Sequence, residues 1–587
     1  MENKRKNIKR NEILSLVITL IIIILINIIG SFVYTRFDLT SEKRYTLSDK
    51  SKEILGGLDD YVYFRVYLEG DFPAGFKKLR KETKEMLDEF RAYSKFIDYE
   101  FINPSESNDP NERQETYKIL YQNGLNYYTA TMPTNNGMQQ IMVWPGVMVS
   151  YREKELAVDL LSAQSGQSQE TILNNSSQDL EYKLISAIKE ISETSKAKVA
   201  FVEGHGELAD IEVYDIAKSL AKKYSIDRVS IDGKMNSLTY RDYDKDSSVV
   251  VRTNYDAIVI AKPTEAFSEK DKFIIDQYIM YGGKVLWLLD HVKADMDSLQ
   301  NAESMMGVTL NNNLDDQLFE YGVKLNNNLL LAYPCAQIGL VTGQGANIQS
   351  ALLPWYYFPL LNAASQHPIV RNLEAVKADF TGSLEPTTSA PEIQKIPLLK
   401  TSDYTKISSA PVYISLKILN DRPDPRMFPQ KGQVTAYLLN GKFTSLYENR
   451  LPEAIVESNE IAFRNESVPT SMIVVADGDI VRNQLAQLDY AKKNNKRVGS
   501  PLPLGYDQYT NNTYGNKHFV ENAISYLVDG EGLISINARE LKIRMLDMSK
   551  INKSQTTWQV VNVVLPSAIM VLFGFVLAYI RKKKYNK

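Results

Sequence analysis

The hydropathy pattern has a long uncharged apolar run near each end of the chain. Residues 13–35 contain no charged side chain, and residues 554–580 are also uncharged, with an apolar stretch that begins at Val560. A helix of either length, at a rise of about 1.5 Å per residue, spans the roughly 30 Å hydrocarbon layer of a bilayer. Both runs are apolar on every face, unlike the one-sided stripe of a surface helix. The pattern therefore predicts transmembrane helices at 13–35 and 560–580.

Residues 36–195 show the pattern of a small N-terminal α/β domain. Runs rich in β-branched and aromatic residues favour strands, and apolar positions spaced by three and four favour helices. The predicted elements are, in order, a strand at 61–68, a helix from Gly75, a strand at 97–102, antiparallel strands at 130–132, 141–151 and 155–161, a loop at 164–178, and a helix over 180–191.

Residues 196–550 show short, continuously apolar segments that alternate with helical stripes. Such alternation is typical of a parallel sheet covered by helices on both faces. The fold class is therefore α/β, and this larger domain resembles the flavodoxin-like sheet, which class I amidotransferases share. Its predicted strands lie at 198–202, 256–263, 284–290 and 471–477, and its predicted helices at 211–224, 269–281 and 518–527.

The segment from about 296 to 470 is less regular, with Asn-rich turns and clusters of proline. We interpret it as a partly β insertion into the larger domain, whose sheet resumes after it. Residues 434–439 and 443–447, separated by Asn440-Gly441, predict a β-hairpin within the insertion. A separate third domain is the alternative interpretation.

Charge is distributed unevenly along the chain. The formal net charge is −3, but residues 1–36 carry +4 and residues 581–587 carry +5, which leaves −12 for residues 37–580. Basic flanks remain on the cytoplasmic side of a membrane, so tails 1–12 and 581–587 are expected in the cytoplasm and the chain between the two spans on the opposite side of the membrane. A cleaved signal peptide is the alternative for the first apolar run. The acidic body argues against a nucleic-acid partner.

Several common chemistries lack a signature in the sequence. No G-x-x-x-x-G-K-[ST] motif occurs, so the chain has no P-loop to hold a nucleoside triphosphate. The four histidines are scattered without zinc-ligand spacing, and one cysteine excludes an intrachain disulfide. We therefore expect neither a cofactor nor a metal site, and we expect no catalytic residues. The lone Cys335 follows Tyr333-Pro334 without a nucleophile elbow, which favours an inert buried thiol.

Polar residues follow several of the predicted parallel strands, where ligands collect in open α/β sheets. We predict a ligand pocket there, although glycine turns and polar side chains also occur wherever strands end in solvent. The predicted pocket residues are Glu203, Gly204, His205, Gly206, Glu207, Asp290 and Asp477, and Lys262, His291 and Asp479 are expected at the same edge.

Five segments together resemble the GldG-type gliding-motility proteins, an auxiliary, substrate-binding-like family of ABC transporters. They are RFDLTSEKRYTLSDKSKEIL at 36–55, VEGHGE at 202–207, IPLLKTSDYT at 396–405, AYLLNGKFTSLY at 436–447, and VVADGDIV with GNKHFVENAISYLVDGEGLISINAR at 474–539. The resemblance implies a membrane-anchored subunit that works with a separate multi-span permease and a cytoplasmic ATPase.

Three functional hypotheses follow. The first is a non-enzymatic coupling or scaffold subunit of an ABC transporter linked to gliding motility, with the lipid bilayer as a further partner and a possible homodimer within the complex. The second is a ligand-binding receptor that uses the pocket near His205. The third is an amidotransferase-like hydrolase, which requires Cys335 close to His205.

Overall fold

The structure is a computed structural model. It describes residues 14, 17–22, 24–25, 46–134, 137–161, 168–193, 195–243, 249–300, 302–342, 349–420, 424–458, 460–537 and 548–585. The chain divides into two compact units, one of residues 1–46 with 540–587 and one of residues 47–539, and each is described by itself.

The N-terminal domain, residues 47–193, is a four-stranded sheet packed against helices. The sheet has the order β2-β1-β5-β6, in which β1 and β2 are parallel and the other pairs antiparallel. A separate ribbon of β3 and β4 extends the domain. Its elements are α1 Asp49–Gly56, β1 Val62–Val66, α2 Ala74–Tyr93, β2 Ile97–Phe101, α3 Pro110–Gln122, β3 Tyr128–Thr134, β4 Gly137–Val143, β5 Gly146–Tyr151, β6 Lys154–Asp159 and α4 Gln169–Ser192.

The loop predicted at 164–178 is wrong from residue 169 onward, because α4 begins at Gln169. The Ser168 hydroxyl caps the helix by accepting a hydrogen bond from the backbone N–H of Thr171 at 3.2 Å. Ile172, Ser176 and Leu180 are buried at a spacing of four. Ser176 fits this apolar stripe because its hydroxyl donates to the Ile172 carbonyl at 2.6 Å. The polar composition of residues 169–178 therefore led to a predicted loop where the structure has the first ten residues of α4, nearly three helical turns.

The remainder of the second unit is built on a large mixed sheet. The helices are α5 Tyr214–Leu220, α6 Glu269–Met280, α7 Met296–Gln300, α8 Asp315–Tyr321, α9 Glu453–Val456, α10 Leu488–Lys493, α11 Asn516–Asp529 and α12 Glu531–Asn537. The strands are β7 Lys198–Glu203, β8 Ser225–Ser230, β9 Thr239–Tyr243, β10 Val249–Thr253, β11 Ala257–Ala261, β12 Val285–Leu288, β13 Val292–Lys293, β14 Ser304–Thr309, β15 Val323–Leu325, β16 Asn328–Ala332, β17 Cys335–Thr342, β18 Gln349–Ala363, β19 Val376–Lys377, β20 Leu384–Pro386, β21 Gln394–Lys400, β22 Thr405–Ser409, β23 Val412–Ser415, β24 Val434–Gly441, β25 Thr470–Val475, β26 Tyr506–Asp507 and β27 Asn512–Thr513.

We call residues 196–537 the α/β domain. Its main sheet has the order β17-β18-β21-β24-β25-β12-β11-β7-β8, in which β25, β12, β11, β7 and β8 run parallel. Alternate residues of β11 enter different cores, Val259 on one face of the sheet and Ile258 and Ile260 on the other. Both faces are therefore covered, which explains why these strands are continuously apolar in sequence. The strands predicted at 198–202, 256–263, 284–290 and 471–477 are confirmed.

The segment between β12 and β25 contains more strands than its sequence indicated. The proline-flanked run 354–359 lies within β18, and its aromatic side chains are buried. Pro354 and Pro359 pair with residues on either side of a register shift between Cys335 and Gln337 in β17. A shift of this kind accommodates proline, which cannot donate to the strand ladder.

The hairpin predicted at 434–439 and 443–447 is wrong. The first segment is β24, but it pairs antiparallel with β21 and β25 inside the main sheet. The second segment leaves the sheet, and two of its donors hydrogen-bond to the buried carboxylate of Asp276 in α6. These bonds come from the Ser445 hydroxyl at 2.6 Å and from the backbone N–H of Leu446 at 3.0 Å.

The first unit contains the helix α13 Met548–Tyr585, whose segment Val560–Ile580 coincides with the second predicted membrane span. Within the part of the chain that the structure describes, this segment is the one long and apolar enough to cross a membrane. The span predicted at 13–35 falls mostly outside the described residues.

Candidate functional site

The carboxyl ends of the parallel strands carry most of the predicted site residues. His205 follows β7, Lys262 follows β11, Asp290 follows β12, and Asp477 follows β25. The structure separates them into two groups with different partners. One group surrounds His205, and the other surrounds the carboxylates of Asp290 and Asp477.

The turn after β7 requires glycine. Gly204 and Gly206 have φ values of +113° and +73°, a region that side chains with a Cβ rarely adopt. A Cβ on Gly206 would lie 2.2 Å from the Thr264 hydroxyl oxygen. The turn is further fixed because the His205 carbonyl accepts the backbone N–H groups of Thr264 and Glu265 at 2.9 and 2.8 Å.

The His205 ring is enclosed and its nitrogens have partners. Nδ1 lies 3.2 Å from Glu207 Oε1, Nε2 lies 3.3 Å from Asp271 Oδ2, and the ring stacks on Phe267 with centroids 3.7 Å apart. Only 6% of the residue is exposed. Burial lowers the pKa of His205, but the hydrogen bonds to Glu207 and Asp271 outweigh it and raise the pKa above the ordinary value. This arrangement ties the turn to the N-terminus of α6.

Glu203, also predicted for the pocket, has a different partner. Its carboxylate pairs with Arg228 of β8, whose guanidinium also reaches Asp210 at 2.8 Å. Asp271 and Phe267 were not among the predicted residues. The segment Ser268-x-x-Asp271 has the form of a capping box, and this local signal could have identified Asp271, because the Ser268 hydroxyl accepts its backbone N–H at 3.2 Å.

The contacts of His205 predict a pH-dependent contribution to stability. A raised pKa in the folded protein means that folding favours the protonated ring, so this contribution is full below the unfolded value near 6.5 and is lost as pH rises through the folded pKa. We expect the stability difference between wild type and His205→Gln to be largest at about pH 5.5 and to shrink by about pH 9. Urea-denaturation midpoints across this range measure it.

The exposed residue His518 provides the control, since His518→Gln removes an imidazole without removing a buried contact. A His205→Gln difference that is constant over the whole pH range contradicts the assignment of charge to the His205 ring.

The second group is a carboxylate cluster of Asp290, Asp477 and Asp479. One oxygen from each lies within 4.8 Å of the others. The Lys262 ammonium lies 3.3 Å from Asp290 Oδ2 and also hydrogen-bonds to Asp479. Oxygen ligands in this arrangement suit a hard divalent cation, but the Lys262 ammonium already supplies a positive charge between two of the carboxylates. The prediction that the protein has no metal site is thus neither confirmed nor contradicted by the carboxylate cluster.

Burial and neighbouring charges shift the pKa values of Asp290, Asp477 and Lys262. Burial, together with Asp290, Asp479 and Asp379, raises the pKa of Asp477 well above its ordinary value. Burial also raises the pKa of Asp290, against the opposing effect of Lys262. Desolvation lowers the pKa of Lys262, but Asp290 and Asp479 outweigh it and raise the pKa above its usual range.

Backbone amides hold the carboxylate cluster in place. Asp290 accepts the N–H of Gly478 at 2.7 Å, and Asp477 accepts the N–H groups of Asp479 and Asp379 at 2.8 Å each. Asp379 in turn forms an ion pair of 2.9 Å with Lys377. The cluster thus joins the ends of β12 and β25 to the segment after β19. Sequence reasoning missed Lys377 and Asp379, since no local pattern indicates that this segment returns to the strand ends.

The remaining candidates are placed apart from these groups. His291 follows Asp290, but its Nδ1 is buried without a hydrogen bond in the described structure and lies 3.6 Å from Asp315 Oδ1. Cys335 begins β17 and packs beside the aromatic core of β18, where burial raises the pKa of its thiol to about 12. A thiol with this pKa is not an activated nucleophile at neutral pH.

Most of the chain matches two family models. Residues 196–523 match a family model described as ABC-type uncharacterized transport system, and residues 41–150 match a domain of unknown function, DUF7088. An uncharacterized protein of Borreliella burgdorferi is 22% identical over 587 residues, covering 98% of this chain and 99% of its own. Among solved structures, the mmIFT52 N-terminal domain is similar with a TM-score of 0.31 and 10% identity, over 57% of this chain and 99% of that domain.

The family match includes the main sheet and both groups of polar residues at its strand ends. It supports an accessory role in an ABC transport system and association with other components of such a system. Since the match covers more than half of the sequence, the chain belongs to the auxiliary family of ABC-type uncharacterized transport systems.

Proposed function

We propose that the protein is a membrane-anchored, non-enzymatic coupling subunit of an ABC transporter. Its body is extracytoplasmic, its two membrane spans place both tails in the cytoplasm of a bacterial inner membrane, and its partners are a separate permease and ATPase. The family match and the apolar helix at 560–580 support this proposal. The absence of a P-loop motif supports the assignment of ATP hydrolysis to a separate subunit. The resemblance to GldG-type proteins extends the proposal to gliding motility. The strand order β8-β7-β11-β12-β25 supports the further proposal of a flavodoxin-like sheet.

The observation that carries the proposal is a junction of three helices within residues 47–539. α1 is the first helix of this unit, α12 is the last, and both pack on α4. Leu55 of α1, Leu184 of α4 and Leu533 of α12 belong to one hydrophobic core. The first and the last helix of this unit therefore meet on α4.

A buried carboxylate fixes the first helix of the junction. Glu181 of α4 is 7% exposed and accepts the backbone N–H of Ser48 at 2.7 Å and the hydroxyl of Ser51 at 2.6 Å. A negative charge at the N-terminus of α1 is also favoured by the helix dipole. Apolar packing and this polar anchor together hold α1 on α4.

The junction also reaches the α/β domain. Ile534 of α12 belongs to the core beneath the main sheet, while its neighbour Leu533 belongs to the core of the N-terminal domain. Lys189 of α4 forms an ion pair with Asp529 at the end of α11. A displacement of α1 or α12 would therefore act on both domains, which is what a coupling subunit requires.

The contacts at the strand ends favour coupling over the two alternatives. A receptor pocket at His205 would need free groups, but both ring nitrogens already have carboxylate partners. A hydrolase would need an activated Cys335, and burial keeps that thiol protonated. We therefore rank the receptor second and the hydrolase third.

Affinity purification of the tagged full-length protein from its native membranes tests the proposal. We expect a permease and an ATPase subunit to be enriched together after mild detergent extraction, identified by mass spectrometry. A variant with residues 560–580 replaced by an unrelated membrane helix separates the contribution of that helix from that of the body. Recovery of the wild type without any ABC component would count against the proposal.

A further inference from the structure

A cleft between the N-terminal domain and the α/β domain is not explained by the proposed function. Its volume is about 590 Å³. Small-molecule sites commonly have volumes of roughly 300–1,000 Å³ and often lie between domains. The buried floor of the cleft includes Ile191, Tyr224 and Leu533, and its walls come from α4, β6, the segment before β8, and the end of α11.

The cleft is rich in lysine, although the body as a whole is acidic. Three of its four carboxylates already have ion-pair partners, because Lys189 pairs with Asp529 and Glu193, and Glu155 pairs with Arg65. Among the described residues, Glu190 is the lining carboxylate without an ion pair within 4 Å. The lining lysines without one are Lys154, Lys196, Lys222 and Lys223.

Two of these lysines, Lys154 and Lys196, hydrogen-bond to backbone carbonyls at the cleft. Lys154 donates one hydrogen bond to the Glu193 carbonyl at 2.7 Å, and Lys196 bridges the carbonyls of Ala221 and Lys222 at 3.1 and 2.7 Å. An ammonium has three N–H donors, so each keeps at least one for a ligand. The Ser186 hydroxyl oxygen, also in the lining, is buried and has no hydrogen-bond partner in the described structure.

We propose that this cleft binds an organic phosphate, whose charged group contacts the lysines and whose organic part lies on the apolar floor. Lysine acts as a point-charge partner for phosphate, and an excess of cations inside an acidic surface concentrates anions locally. The ligand is either a soluble phosphorylated molecule or the headgroup of an anionic phospholipid, which share this chemistry.

The test uses the full-length protein in detergent and inorganic pyrophosphate as the probe, with Kd measured by calorimetry at low and high salt. We expect binding that weakens with salt, and an increase in Kd of about tenfold or more for Lys222→Gln/Lys223→Gln. Both lysines are exposed, so the substitutions leave the core intact. The matched control is the exposed pair in α10, Lys492→Gln/Lys493→Gln, which lies outside the cleft lining.

A second arm measures binding of the same variants to vesicles of phosphatidylglycerol and of phosphatidylcholine. If the cleft variant, unlike the control variant, loses only phosphatidylglycerol binding, the natural ligand is a lipid headgroup. If it loses only pyrophosphate binding, the natural ligand is a soluble phosphorylated molecule. The proposal is overturned if neither probe binds, or if the cleft and control variants bind equally well.

Discussion

Replacing Lys262 by alanine is expected to lower the free energy of unfolding by about 3–5 kcal/mol, because two buried carboxylates lose their counter-charge. Lys262 contacts Asp290 and Asp479, and the side chains of all three are at most 14% exposed. A buried charge left without a partner costs far more than the pair contributes. Urea-denaturation midpoints of the full-length protein, followed by tryptophan fluorescence, measure the change.

The exposed ion pair of Lys77 and Asp71 provides a matched control. Its N–O distance is 2.7 Å, but the Lys77 side chain is 55% exposed. Lys77→Ala is therefore expected to change stability by less than about 1 kcal/mol. Adding Asp479→Asn to Lys262→Ala should restore part of the loss, since it removes one uncompensated charge. Equal effects of Lys262→Ala and Lys77→Ala would show that the cluster is not a buried ionic centre.

Replacing Asp276 by alanine is expected to cost about 3 kcal/mol or more, because several buried donors lose their acceptor. Asp276 is 0% exposed, and its carboxylate accepts from Ser445, Leu446, Tyr321 and Gln277. Asp276→Asn keeps one carbonyl oxygen and should cost less than the alanine variant. The same denaturation assay compares them, and an alanine variant as stable as the asparagine variant would contradict this role.

Asp276 also shows why part of the fold could not be predicted from sequence. The turn signal Asn440-Gly441 is local, but the donors that follow it bond to a carboxylate about 170 positions away in the chain. The parallel strands were predictable because burial on both faces leaves a continuous apolar run in each of them. The start of α4 was missed because Ser176 occupies a buried position through a hydrogen bond to its own helix.

Among the residues at the strand ends, some contacts could be predicted from sequence and others could not. Parallel strands end at one edge of a sheet, and this rule predicts that Lys262, Asp290 and Asp477 lie close together. In the structure Lys262 contacts Asp290, and Asp477 has a carboxylate oxygen within 4.8 Å of one from Asp290. Their link to Lys377 and Asp379 depends on the path of a long insertion, which leaves no periodic signal. Ligand binding at His205 stays a prediction. The His205 ring contacts Glu207 and Asp271. The local sequence around Asp271 indicates a helix cap but gives no sign of its contact with His205.

The central claim is that conformational change passes through the junction of α1, α4 and α12. The most direct test is the rate of ATP hydrolysis by the purified transporter complex that carries Glu181 variants. Glu181→Leu removes the acceptor for Ser48 and Ser51, whereas Glu181→Gln keeps a carbonyl oxygen at the same place. We expect all three complexes to assemble, with the Glu181→Gln complex hydrolysing ATP like the wild type and the Glu181→Leu complex hydrolysing it at a clearly altered rate. Identical rates for the wild-type and Glu181→Leu complexes would contradict coupling through this junction.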